Sequence, residues 1–158
     1  MNFISPTKGK LSFEEMMADI TKYIMGLPTS SYKIIVGSDS QVKSDTCFVT
    51  AVIVHRLGKG ARYYYRKKNQ RKIKSLRQKI FYETALSLEL GGMLHKYFAD
   101  KGYDDNDMNV EIHIDVGKHG ETKDLIREVV GMVTGSGFQA KIKPDAFGAS
   151  SVADKHTK

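Results

Sequence analysis

Ile34-Ile35-Val36-Gly37-Ser38-Asp39-Ser40-Gln41 is the stretch on which the reading of this chain turns. Three apolar β-formers run into a glycine, a carboxylate and two small polar residues. A continuous apolar run is the mark of a strand buried on both faces. An ionisable group at the end of such a strand sits where a sheet meets solvent, a common place for chemistry in α/β folds. Aspartate at a strand end is also a turn former, so the weight given to Asp39 depends on its surroundings.

Downstream, a polar turn from Gln41 to Asp45 leads into Cys47-Phe48-Val49-Thr50-Ala51-Val52-Ile53-Val54, a second predicted strand. Leu57-Gly58-Lys59-Gly60 has hairpin-turn composition. Arg62-Tyr63-Tyr64-Tyr65-Arg66-Lys67 reads as a third, aromatic and basic strand. These three predict an antiparallel meander. From about Ile73 to Phe98 the apolar period changes from two to 3.6, with Ile73, Leu76, Ile80, Leu90, Leu94 and Tyr97 on one helical face. Glu83 falls in that row. Burying an unpaired carboxylate costs on the order of several kcal/mol, so Glu83 either pairs with a cation or faces a site. Glu89 points elsewhere.

Val110-Glu111-Ile112-His113-Ile114-Asp115-Val116 alternates and predicts a fourth strand, again with an aspartate near its end. A helix from about Thr122 is set by Leu125, Ile126, Val129, Val130 and Val133 and stopped by Gly135-Ser136-Gly137. Phe138 to Ile142 predicts a short fifth strand, and Ala149 to Lys158 a final helix containing Asp154. Upstream, residues 1–10 read as irregular because of Pro6 and Gly9. Ser12-Phe13-Glu14-Glu15 has capping-box form, and Phe13, Met16, Met17, Ile20, Ile24 and Leu27 follow helical spacing. The single stripe suits a helix docked outside the main core.

The chain has 158 residues, 41% hydrophobic and 27% charged, which fits one soluble domain. The lone Cys47 excludes an internal disulfide and fits a reduced compartment. No apolar run approaches membrane-spanning length, and no signal-peptide pattern opens the chain. The expected location is the cytoplasm. Net charge is +7, yet eleven Lys and Arg and no acid lie between Thr46 and Tyr82, leaving fourteen basic and eighteen acidic residues elsewhere. The positive excess therefore sits in one contiguous piece, as for a face that binds a polyanion. A merely solvated basic surface has the same composition.

Four carboxylates now stand at marked positions of a strand-strand-strand-helix-strand-helix-strand-helix order: Asp39, Glu83, Asp115 and Asp154. In this order the chain resembles the ribonuclease H-like superfamily, and more narrowly the small bacterial YkuK-type family of predicted ribonuclease H-like nucleases. The resemblance covers roughly residues 32–158, leaving 1–30 as an N-terminal helical extension to a single domain. It implies an α/β fold with a five-stranded mixed sheet, three antiparallel strands followed by helix–strand–helix–strand–helix. It also implies that Asp39 is the principal metal ligand with Asp115, that Glu83 completes one site, and that Asp154 holds a second ion. The helper histidine that many ribonucleases H carry before the last helix has no counterpart in 143–151; His119 and His156 are the nearest candidates.

The physics fits that grouping. Two carboxylates about 4 Å apart repel by roughly 4 kcal/mol at an effective dielectric of about 20. A cluster of four must hold protons or cations, and oxygen-only ligands suit Mg²⁺ or Mn²⁺. Two ions about 3.5–4 Å apart suit phosphodiester hydrolysis without a protein nucleophile. Arg66, Lys67, Lys68, Arg71, Lys72 and Lys74, joining the third strand to the long helix, are candidates to hold the phosphates of a nucleic acid. Tyr63 and Tyr65 share a strand face and are candidates to stack on bases, or ordinary strand packing. The expected function is a Mg²⁺- or Mn²⁺-dependent nuclease acting on RNA, DNA or a hybrid. The alternative is a non-catalytic nucleic-acid-binding module on the same fold. Nothing in the sequence indicates an oligomeric state.

Overall fold

The computed structural model describes residues 2–103, 108–117, 120, 122–143, 145–146 and 148–157. Their strands are β1 (Asn2–Ser5), β2 (Gly9–Ser12), β3 (Tyr32–Val42), β4 (Thr46–Arg56), β5 (Ala61–Gln70), β6 (Asn109–Gly117) and β7 (Gln139–Lys143). The helices are α1 (Phe13–Gly26), α2 (Leu76–Asp100), α3 (Ile126–Gly135) and α4 (Gly148–Thr157). The strands form one mixed sheet in the order β2-β1-β5-β4-β3-β6-β7.

The expected meander is present, with β3, β4 and β5 paired antiparallel over nearly their full lengths. β6 and then β7 add in parallel beyond β3. Two strands more than the five expected come from the N-terminus, where the sequence predicts irregular structure over residues 1–10. Pro6 and Gly9 mark the turn of a β1–β2 hairpin. Ser5 Oγ accepts bonds from the Thr7 and Lys8 amides at 3.3 and 3.1 Å, and Gly9 has φ of 75°, where glycine carries no side-chain penalty. β1 pairs with β5 at Ile4 and Tyr65. It thereby covers an edge that would otherwise offer unpaired backbone groups.

The capping box starts α1 as its sequence predicts, with Glu15 N donating to Ser12 Oγ at 3.1 Å and Ser12 N to Glu15 Oε1 at 2.9 Å. Its apolar stripe does more than dock on the outside. Met16, Met17 and Ile20 are fully buried in the main core with Phe3, Ile34, Val52, Tyr64 and Leu90. α2 begins at Leu76, three residues later than the periodicity from Ile73 implies, because Ser75 caps it by accepting from the Gln78 amide at 3.3 Å. Ile73 instead belongs to the linker, its amide donating to Thr46 Oγ1 at 2.9 Å.

α4 lies against the opposite face of the sheet, where Ala153 packs with Val49 and Ala51. Small residues set both helix-to-sheet approaches. A Cβ on Gly37 would stand 2.7 Å from the Cβ of Ala149 in α4, and one on Gly91 of α2 would stand 2.9 Å from Ile112 Cδ1. No described helix is long and apolar enough to cross a membrane.

Candidate metal centre

β3 and β6 run parallel and stay paired up to Gly37 and His113. Beyond that pair they separate, while β3 continues along β4 to Val42. Asp39 and Asp115 each stand two residues past the last pairing, so both flank the gap left by the parting strands. Glu83, on the second turn of α2, reaches the same place. Ligand atoms of Asp39, Glu83 and Asp115 all lie within 4.8 Å of one another. Three carboxylates from three elements, spread over 77 positions of chain from 39 to 115, thus converge.

Glu83 is buried, and its Oε2 accepts from Ser40 Oγ at 2.5 Å. Burial pushes its carboxyl up to about 8, against the Ser40 bond, with Asp39 and Asp115 adding in the same direction. Asp39 is pushed up to about 7, chiefly by burial; a bond from the Ser40 amide opposes this, and Asp115 and Asp154 reinforce it. The carboxyl of Asp154, on α4, interacts directly with that of Asp39 while its own residue is exposed. Asp154 therefore joins the Asp39 side of the cluster and is not among the three tightly grouped carboxylates.

A residue that sequence reading passed over completes the picture. Lys143, at the end of β7, places Nζ 2.7 Å from Asp115 Oδ1. That bond, with the nearby charges of Asp39 and Glu83, raises its ammonium above the usual lysine range. A positive charge stands where the acids most need one. It gets there because the β6–β7 register shifts between His113 and Gly117, bringing Lys143 opposite Gly117.

The basic stretch is divided by strand alternation. Arg66 is buried, its guanidinium 3.6 Å from Glu89 and over the Phe3 ring, so it belongs to packing and not to the exposed basic surface expected of it. Lys67 and Lys68 are exposed and, as successive strand residues, take opposite faces of β5. Lys68 Nζ lies 5.6 Å from the Tyr82 ring of α2. Arg71, Lys72 and Lys74 are exposed on the linker into α2. Tyr63 and Tyr65 are not open for base stacking. His156 of α4 stacks on Tyr65 with centroids 3.8 Å apart, and its Nε2 lies 3.3 Å from Tyr63 Oη. Partial burial against them, with Lys155 and Lys67 nearby, lowers the His156 imidazole below its usual value. His119 lies outside the described residues. His113 is buried, with Nε2 3.3 Å from Glu111 Oε1, and burial holds it towards its neutral form.

A model of the family described as Ribonuclease H-like matches residues 15–158. The chain belongs to the ribonuclease H-like family. Within it, the chain is 40% identical to YkuK of Bacillus subtilis (strain 168), described as an uncharacterized protein, over 99% of this chain and 96% of that one. No solved structure matches the chain. The β1–β2 hairpin lies ahead of the matched region.

Proposed function

We propose that this chain is a divalent-metal-dependent nuclease that hydrolyses phosphodiester bonds of RNA, DNA or a hybrid. The observation that carries the reading is the meeting of Asp39, Glu83 and Asp115 within 4.8 Å, on a member of the ribonuclease H-like family. The donor set fits a hard divalent cation: all the candidate ligand atoms are carboxylate oxygens, and their negative charge already attracts Lys143 to Asp115. Asp39 and Asp115 would be the principal ligands of Mg²⁺ or Mn²⁺, Glu83 would complete that site, and Asp154 with Asp39 would hold a second ion. Bound ions of this kind supply an activated water and stabilise a leaving oxygen in phosphodiester hydrolysis.

The protein's own residues do the rest. Ser40 fixes the Glu83 carboxylate by its 2.5 Å bond, so that the ligand is oriented before an ion arrives. Lys67, Lys68, Arg71, Lys72 and Lys74 would hold the phosphate backbone beside the centre, through charge and without reading sequence. The test is Asp39→Asn. It is expected to stay folded, to lose Mn²⁺ binding, and to lose metal-dependent cleavage of single-stranded RNA, DNA and hybrid substrates. Full cleavage by that variant would overturn the assignment. Salt-sensitive nucleic-acid binding without cleavage, unchanged when the acids are neutralised, would favour a binding module instead.

A further inference from the structure

A second polar site lies at the other end of the sheet. A cavity of about 320 Å³ is lined by Lys8 from the β1–β2 turn, Asp19, Lys22 and Tyr23 from α1, and Arg56 and Arg62 from the facing ends of β4 and β5. Arg56 pairs across the sheet with Tyr32, the first residue of β3, seven positions before Asp39. At about 3.4 Å per strand residue, roughly 24 Å separates this cavity from the acidic cluster. It is not part of that centre.

Four cations meet one carboxylate here, and the carboxylate is already engaged. Asp19 Oδ2 accepts from the Tyr64 hydroxyl, and Arg62 Nη1 lies 3.3 and 3.4 Å from its two oxygens. Arg56 is half-buried, yet among the described residues its guanidinium bonds only neutral acceptors. Nη2 donates to the Tyr23 carbonyl at 2.6 Å and Nε to the Tyr32 hydroxyl at 3.1 Å, with the Tyr23 ring 4.0 Å away. Among the described residues no carboxylate pairs with Arg56, Lys8 or Lys22. A partly desolvated cation without a counter-ion is unfavourable unless an anion completes it. The fixed fork of an arginine flanked by exposed lysines is suited to phosphate oxygens. The cavity volume is in the range of small-ligand sites.

We propose that this pocket binds the phosphate end of a phosphorylated ligand, with Arg56 as the fixed contact and Lys8 and Lys22 closing over it. The phosphate has two possible sources, a free nucleotide or the terminal phosphate of a nucleic acid. The proposal stands apart from the nuclease reading and does not need it.

The test is calorimetric titration of the full chain with pyrophosphate in a chelating buffer, so that no metal bridges the ligand to the acids. One saturable site per chain is expected, with affinity at least tenfold weaker in Lys8→Glu/Lys22→Glu and unchanged in Asp39→Asn. Both lysines are exposed, so that double variant keeps the fold; Arg56→Gln is the stronger but more disruptive variant. Adenosine diphosphate binding tighter than pyrophosphate points to a free nucleotide. A 5′-phosphorylated oligonucleotide binding better than its 5′-hydroxyl counterpart points to a nucleic-acid end. No saturable binding at millimolar pyrophosphate, or equal binding by the double lysine variant, overturns the proposal.

Discussion

Lys143→Met tests how the acidic cluster is balanced before any ion binds. The ammonium is 2.7 Å from Asp115 Oδ1, so a divalent ion that takes Asp115 must displace or share that bond. Bare attraction at this separation is about 6 kcal/mol at an effective dielectric of about 20. That figure is far too large for this pair, because the Lys143 side chain is 56% exposed and water screens it. Exposed ion pairs contribute about 0.2–1 kcal/mol. The upper end applies here, since the Asp115 side chain is only 25% exposed and Asp39 and Glu83 add to the attraction. Relieving a competitor of about 1 kcal/mol tightens a dissociation constant about fivefold.

Mn²⁺ titration by calorimetry on the wild type and on Lys143→Met is therefore expected to show tighter binding by the variant. Lys143→Arg, which keeps the charge, should stay close to wild type. The metal-free variant should also melt at a lower temperature, having lost its internal cation. Equal or weaker Mn²⁺ binding by a folded Lys143→Met protein would refute the competition. A wild type that binds no Mn²⁺ would instead refute the metal centre itself, so the two failures can be told apart.

Other consequences follow from the same geometry. Asp39 and Glu83 have folded values near 7 and 8 against ordinary values of 3.8 and 4.5, so the fold favours their protonated forms. Their contribution to stability is complete below about pH 4 and is lost as pH rises through 7 to 8. Melting temperature measured with chelator is expected to fall from about pH 4 to about pH 8 and then level off, and Mn²⁺ to offset the fall because it binds the ionised forms; a flat profile with chelator would contradict this. Asp39→Asn removes one repelling charge and should raise the metal-free melting temperature while abolishing Mn²⁺ binding; a lower melting temperature would show that Asp39 carries structure as well. Gly37→Ala would drive a methyl to 2.7 Å from Ala149 Cβ, and overpacking of this kind costs about 1–3 kcal/mol, to be read from urea denaturation.

The parts of this molecule that sequence reading reached are those encoded by local pattern. Asp39 stands out because three apolar β-formers precede it, and Glu83 because a carboxylate interrupts a helical stripe. Both signals survive in the structure, since the physical cause is burial along a single element. Lys143 is different. Its partner is chosen by a register shift between β6 and β7, and no feature of Gln139-Ala140-Lys141-Ile142-Lys143 announces that shift. Arg66 belongs by charge with its basic neighbours, but period-two alternation sets it beside Tyr64 on one face. What could not be read is that β1 comes to lie beside β5, because β1 and β2, of four residues each, are too short to show a period. Tyr63 and Tyr65 fail as a stacking platform for a related reason: the helix that covers them lies some ninety positions later.

The arrangement of charge carries a further consequence for the proposed nuclease. Once pH exceeds the raised values of Asp39 and Glu83, a phosphodiester approaching them and Asp115 without metal is repelled at the place where it must react. The exposed Lys67, Lys68, Arg71, Lys72 and Lys74 would attract the same backbone outside the acidic cluster. Binding and chemistry therefore respond differently to conditions. Binding through five cations should fall with salt, with a log–log slope no steeper than about −4.5 for duplex DNA, and Lys72→Ala should weaken every sequence alike and flatten that slope by about one. Divalent ions should improve binding mainly by removing the repulsion at the acids, so Asp39→Asn should bind nucleic acid in chelator at least as tightly as wild type. If instead the acid variants bind more weakly without metal, the carboxylates contact the nucleic acid directly, and the division between an attracting flank and a metal-dependent centre is wrong.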